Sequence, residues 1–401
     1  MCEGQPNQIA QVMFQPVSYL RAFSIIWGVV ICPLAGLLLV SCVTWHGALF
    51  AIAALFLGLA PGLAWIEPER PWLRRFAFVA FGTWLAIAIW LTFVSPDGRP
   101  RDGSRVQNRY VGGAWHYQRN ALGALLPEVD QFMLGFKLVP AVDTLFTMRQ
   151  ARSLANLTST IYAELEVDED FHALGSAMPD AYDDLWGRHF DKGHYFLYVP
   201  PSLDRRTHAP ALVFLHGSGG NFKAYTWLLS RVADELGMVL IAPSFGMGNW
   251  DAKNGTRSVA SALEDAAKVV PVDMSRVHLA GLSNGGLGVS QVAASSAGRR
   301  FCSLIFLSPV CDDSALGSGA FANLWREKPV LVIIGEADDR VPLEYVSRCA
   351  ATMRTAGAMV ELTAYPSADH FLLFSHRDRC LDQISGWLKR NAIAPPASQP
   401  R

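Results

Sequence analysis

Residues 277–286 read Val277-His278-Leu279-Ala280-Gly281-Leu282-Ser283-Asn284-Gly285-Gly286, a β-rich run that breaks at a glycine, presents one serine and resumes with small residues able to open a helix. A strand, a sharp turn and a helix in that order is the context a G-x-S-x-G elbow requires. The turn forces the serine into a strained backbone with its hydroxyl standing clear. Gly281 and Gly285 remove the side chains that would collide with the neighbouring strand and helix. The pattern alone is weak, because a chain of this length carries it by chance roughly once in ten. Its weight depends on what surrounds it.

On either side, short β-rich runs alternate with amphipathic stretches. Strands are predicted at 195–199, 211–215, 238–242, 277–280, 304–307, 330–334 and 360–364, with helices near 224–235, 259–269, 286–296, 344–356 and 377–389. That alternation implies a mostly parallel sheet with helices on both faces.

Strand 211–215 runs straight into His216-Gly217-Ser218-Gly219-Gly220-Asn221. A glycine-rich turn there exposes backbone N–H groups. Those of Ser218 and Asn284 are the expected pair to hold the oxyanion that develops when an acyl carbonyl is attacked, a contribution of about 3–4 kcal/mol per donor. His216 reads as a structural member of this loop, supported by Gly217 and Gly219. A phosphate-cradling loop would continue as G-K-[ST], whereas Phe222 and Lys223 follow here.

A nucleophilic serine needs a base, and the base needs an orienting acid. After Ser283, strand 330–334 leads into Gly335-Glu336-Ala337-Asp338-Asp339-Arg340-Val341-Pro342, and strand 360–364 into Tyr365-Pro366-Ser367-Ala368-Asp369-His370-Phe371. Both follow carboxyl ends of strands, where the sites of open α/β sheets lie. Turn spacing favours Asp338 over Asp339, with Asp312 and Asp313 as further alternatives, and Glu336 lies too close to its strand. His370 is preferred to His376, which falls at the start of the last helix. His172, His189 and His194 read as surface or packing residues, and Phe245 and Trp250 as packing more than as a pocket wall.

The motifs H-G-S-G-G-N, G-L-S-N-G-G, G-E-A-D-D-R-V-P and A-D-H-F, in this order, resemble the α/β-hydrolase superfamily over residues 195–391. The run Val272-Asp273-Met274-Ser275-Arg276-Val277 ahead of the elbow is similar to the polyhydroxybutyrate depolymerase and feruloyl-esterase-like branch. The resemblance implies an α/β-hydrolase fold with Ser283 as nucleophile, His370 as base and Asp338 as acid, cleaving carboxylic esters through an acyl-enzyme. A serine peptidase of the prolyl-oligopeptidase type, an acyltransferase and a catalytically inactive binding module on the same fold are the alternatives. The chain departs from the secreted depolymerases in its apolar N-terminal part and in having no recognisable polymer-binding module. A small-molecule or lipid-like ester is therefore expected rather than a polymer.

That N-terminal part sets the organisation. The chain has 401 residues, 51% apolar and only 17% charged, with a mean hydropathy of +0.21. More than one structural unit is expected at this length, and so low a charge fraction excludes intrinsic disorder. From Ala22 to Ile66 the only residue able to carry charge is His46. Thr44-Trp45-His46 breaks this block, and a third uncharged run extends from Phe76 to Val94, so three transmembrane helices are predicted at 22–43, 47–66 and 76–94. Leu39-Val40-Ser41-Cys42 resembles a lipoprotein cleavage box, but more apolar chain follows it.

Residues 1–94 therefore read as a membrane anchor, 95–188 as a linker and helical segment of unassigned role, 189–394 as the catalytic domain and 395–401 as a flexible tail. The charges do not give one topology: Arg70, Arg74 and Arg75 draw the second loop inward, and Arg99, Arg101, Arg105 and Arg109 beyond the third span also draw inward. An extracytoplasmic catalytic domain is the expectation. Membrane lipids are the expected partners of the spans. A net charge of −1 carries no basic footprint for nucleic acid. No Cys/His cluster has zinc-ligand spacing and no dinucleotide fingerprint follows a strand, so neither metal nor cofactor is expected. Cys302 and Cys311 bracket one strand, too far apart to bridge if it is extended, and free buried thiols are expected for them and for Cys349 and Cys380.

Overall fold

The computed structural model describes residues 16–392 apart from 67–69, 97, 100, 102, 114–124, 144–145, 187–192, 205 and 251. The predicted tail, Cys2 and His189 lie outside the described residues. The chain divides into two compact units, one ending at Val94 and the other beginning at Ser95.

The first unit holds three helices, α1 (Pro16–Ser41), α2 (Trp45–Ile66) and α3 (Pro71–Val94), each long and apolar enough to cross a membrane. The break between α1 and α2 has a local cause, because the Thr44 hydroxyl accepts from the Gly47 N–H at 3.0 Å and caps the new helix. Gly58 of α2 lies against Ile31 and Cys32 of α1, where a methyl group would come within 2.7 Å of the Cys32 sulfur. The third helix starts five residues before the predicted span and takes in Arg74 and Arg75, since Pro71 suits a first helical position. Large apolar side chains such as Val40 and Phe78 remain about three-quarters exposed, a surface that water does not favour.

The second unit is built on eight strands: β1 (Val106–Tyr110), β2 (His194–Tyr198), β3 (Ala209–Leu215), β4 (Val239–Pro243), β5 (Val272–Leu282), β6 (Ser303–Leu307), β7 (Pro329–Gly335) and β8 (Met359–Tyr365). They lie in the order β1-β2-β4-β3-β5-β6-β7-β8. β2 runs antiparallel to β1 and β4, and every other pair is parallel. Successive side chains in a strand point to opposite faces, and the core divides accordingly. Phe214, Leu240, Leu282, Ile305 and Ile333 belong to one apolar cluster, and Val213, Ile241, Leu279, Leu304 and Val332 to another. Helices α4 (Glu128–Leu138), α5 (Met148–Leu165), α8 (Lys223–Leu236) and α15 (Arg377–Ala392) cover the first face; α9 (Ala252–Val269), α10 (Gly285–Ala293) and α13 (Leu343–Thr355) cover the second. Short helices α6 (Glu169–Ala173), α7 (Met178–Leu185), α11 (Asp313–Leu316), α12 (Gly319–Trp325) and α14 (Leu372–Ser375) are the remaining α-helices among the described residues.

The segment without an assigned role belongs to this unit from Ser95 onward. Its first element, β1, pairs over five residues with β2. Acidic residues between Glu164 and Asp170 are paired within the fold: Arg377 bridges Glu164, Lys223 bridges Glu166 at 2.5 Å, and Arg105 bridges Asp168 and Asp170. Because Phe196 and Tyr198 of β2 are fully buried in the cluster that includes residues of α4 and α5, a fragment 95–392 is expected to melt in one cooperative transition. A fragment 189–392 should lack one. Equal cooperativity and equal midpoints by circular dichroism would contradict this boundary.

Candidate active site

β5 ends at Leu282, and Ser283 turns the chain with φ of 52° before α10 begins. Non-glycine residues enter this left-handed region at a cost and stay only where surroundings over-determine them. Here the Ser283 N–H donates to the Leu307 carbonyl at 2.9 Å, while the Ser283 carbonyl accepts from Gly286 and Val310 at 2.8 and 2.9 Å. The flanking glycines admit the close approach the turn needs. A methyl group on Gly281 would sit 2.4 Å from the Gly285 carbonyl oxygen, and one on Gly285 would sit 2.1 Å from that of Leu215.

His370 Nε2 lies 3.0 Å from Ser283 Oγ, and His370 Nδ1 lies 2.8 Å from Asp338 Oδ2. An ionised carboxylate only accepts, so Nδ1 carries the ring hydrogen and Nε2 is left to accept from the serine hydroxyl. Asp338 also accepts the N–H groups of Arg340 and Val341 on Oδ1, at 3.0 and 2.8 Å, and its side chain is fully buried. The two loops reach each other because pairing of β7 with β8 continues past the strand ends, with the Ala337 N–H donating to the Ala368 carbonyl at 2.9 Å. Asp339 is exposed and accepts from Gln150 instead. Asp312 caps α11, Glu336 is exposed, and His376 packs edge-on against Tyr365.

The loop after β3 lies against the elbow, with Gly217 beside Ser283. His216 is fully buried and fixes this loop. Its Nδ1 faces the Gly217 carbonyl at 2.8 Å, and its Nε2 accepts the Phe245 N–H at 3.0 Å. The Trp250 indole donates to the His216 carbonyl at 2.8 Å and stacks on Phe245, so both aromatics pack behind the loop. Burial pushes the His216 imidazole down to about 4, and it stays neutral. His194, buried between Ser244 and Asn108, and His278 on β5 are pushed down by burial to about 3 and about 4.

Gly217, Ser218, Gly219, Ser283 and His370 share a cavity of about 380 Å³ whose other walls come largely from the segment without a motif, including Phe132 and Phe136 of α4. Asn284 does not line it; its N–H, next in the chain after Ser283, is what it offers. Sequence reasoning missed these walls because Phe132 and Phe136 sit at the helical spacing of ordinary core residues. Among the described residues no group of three or more His, Cys, Asp or Glu is placed to hold a metal ion. Cys302, Cys311, Cys349 and Cys380 are free thiols, and those of Cys311 and Cys349 are neighbours.

The strand order, the elbow and the loops that follow β3, β7 and β8 identify the architecture. This is the α/β-hydrolase fold. The prolyl oligopeptidase family matches residues 317–393, which include both the acid and histidine loops. The chain is similar to feruloyl esterase B of Thermothelomyces thermophilus, 35% identical over 116 residues, or 25% of this chain and 38% of that protein. It is also similar to dipeptidyl-peptidase 5 of Porphyromonas gingivalis, 22% identical over 280 residues, or 57% of this chain and 40% of that protein. The chain thus spans about two fifths of the length of these relatives. Among solved structures, esterase 2 of Thermogutta terrifontis phosphorylated by paraoxon aligns with a TM-score of 0.42 and 19% identity, covering 51% of this chain and 91% of that one. The chain is thus similar to both an esterase and a peptidase.

The buried neutral histidines carry a pH signature. Each binds a proton more readily unfolded, near pH 6.5, than folded, so stability is present above that value and is lost as pH falls from 6.5 toward 4. The thermal midpoint should drop steeply below pH 6, and His278→Asn should flatten that slope even if it lowers the midpoint at pH 7. A midpoint constant from pH 7 to 4.5 would contradict the neutral assignment.

Proposed function

We propose that this chain is a membrane-anchored serine hydrolase of carboxylic esters, with its catalytic unit on the extracytoplasmic side and α1 to α3 in contact with lipid. The observation that carries the reading is the 3.0 and 2.8 Å relay from Ser283 through His370 to buried Asp338, opening on a cavity with aromatic walls. His370 takes the Ser283 proton as the hydroxyl oxygen attacks the acyl carbonyl. The N–H groups of Ser218 and Asn284 hold the resulting oxyanion. The tetrahedral intermediate collapses, His370 gives the proton to the departing alcohol, and an acyl-enzyme remains. Water, deprotonated by the same imidazole, then releases the acid. Asp338 stays ionised and holds the imidazole in the required tautomer, stabilising the cation that forms.

The family match over residues 317–393 favours a second reading, a serine peptidase using the same three residues on an amide. Ester cleavage is preferred because of the feruloyl esterase relative and the apolar cavity.

Hydrolysis of p-nitrophenyl butyrate and of dipeptidyl p-nitroanilides by the full chain in detergent separates the two. The ester should turn over and the anilides should not. Ser283→Ala and His370→Ala should each lower kcat by about 10⁴–10⁶, and Asp338→Asn by about 10⁴. Preferential anilide cleavage would establish the peptidase reading, and full ester turnover by Ser283→Ala would remove both.

A further inference from the structure

We propose that α4 forms the wall of an acyl-arm site selecting medium-length apolar acyl groups, with Gly135 as the residue that leaves the slot open. This deepens the ester-hydrolase reading and rests on it. Phe132, Gly135, Phe136 and Val139 all line the cavity that contains Ser283. Their spacing of i, i+3, i+4 and i+7 puts them on one helical face. A methyl group built on Gly135 meets nothing within 4 Å, so empty space faces the helix between two phenylalanines.

The wall is fixed in place. Glu128, at the start of α4, is fully buried and accepts from the Tyr162 hydroxyl, from Ser176 at 2.8 Å and from the Lys223 N–H at 3.2 Å. Further along, Arg340 pairs with Asp143 at 3.0 Å, and Gln150 donates to Asp339. These contacts tie the segment to the acid loop and to the start of α8, so the cavity is preformed rather than closed by the ligand.

The arm is assigned to the acyl group by the direction of proton transfer. The departing alcohol takes its proton from His370 Nε2 and leaves on the His370 side, where Phe371 stands against the ring at 5.5 Å. The carbonyl oxygen points at the Ser218 and Asn284 N–H groups, so the acyl chain takes the remaining direction, away from His370, into the cavity walled by Phe132 and Phe222, which meet edge-on at 4.4 Å. A cavity of about 380 Å³ lies at the small end of the range for small-ligand pockets, so it takes a medium-length chain and excludes a long one.

The test is kcat/KM of the full chain in detergent on p-nitrophenyl esters from acetate to dodecanoate, beside a series of alkyl acetates. The expected acyl profile rises about fourfold per added methylene, peaks near octanoate and then falls, while the alkyl series is shallow. Gly135→Leu, which fills the slot and replaces glycine with a better helix former, should lower the octanoate-to-acetate ratio of kcat/KM at least tenfold and leave the thermal midpoint unchanged or raised. A flat acyl profile, a steep alkyl series, or an unchanged octanoate-to-acetate ratio in Gly135→Leu overturns the proposal while ester turnover itself stands. Absence of Ser283-dependent ester turnover in wild type overturns the hydrolase reading and this site with it.

Discussion

The left-handed backbone of Ser283 is the constraint on which the catalytic unit is organised. It is held by hydrogen bonds reaching β6 and the loop after it, and it is possible only because Gly281 and Gly285 bring the strand, the turn and α10 within touching distance of β3. Once that turn is set, the serine hydroxyl stands above the carboxyl edge of the sheet. The parallel register of β5 through β8 then places the loops carrying Asp338 and His370 in line beside it. No segment need move to assemble the three side chains; the order of the strands does it.

Polar groups around this centre are buried in ways that fix rather than tune it. His216 uses both ring nitrogens to hold the loop beside Ser283, and its neutrality follows from complete burial. Asp338 receives two backbone N–H groups besides the imidazole, which compensates its desolvation. Glu128 does for the cavity wall what Asp338 does for the histidine. Desolvation raises its pKa, while a tyrosine, a serine and a helix amide occupy its oxygens.

β3, β4, β6 and β7 were legible because buried parallel strands write themselves as apolar runs, and each run predicted from β3 onward falls within an observed strand or one residue from it, including β8, where Glu361 and Thr363 interrupt the apolar residues of a half-exposed strand. The elbow and the loop after β3 were legible because glycines mark both. β1 was not, since Val106-Gln107-Asn108-Arg109-Tyr110 sets three consecutive polar residues between its two apolar ends within a turn-rich stretch and becomes a strand only by pairing with β2. The preference for Asp338 over Asp339 rested on spacing, whereas in the fold burial distinguishes them. The aromatic wall was hidden for a different reason: a helix facing a cavity and a helix facing a core have the same apolar period. Local sequence does not encode the difference, which depends on whether another element fills the space opposite Gly135.

The account depends most on Ser283 being the single activated hydroxyl. Reacting the folded full chain with a phosphonofluoridate and mapping the adduct by mass spectrometry of tryptic peptides tests this directly. One modification per chain, within peptide 277–299 and on Ser283, is the predicted result. A folded chain that stays unmodified, or an adduct on another serine such as Ser218 or Ser308, would contradict it.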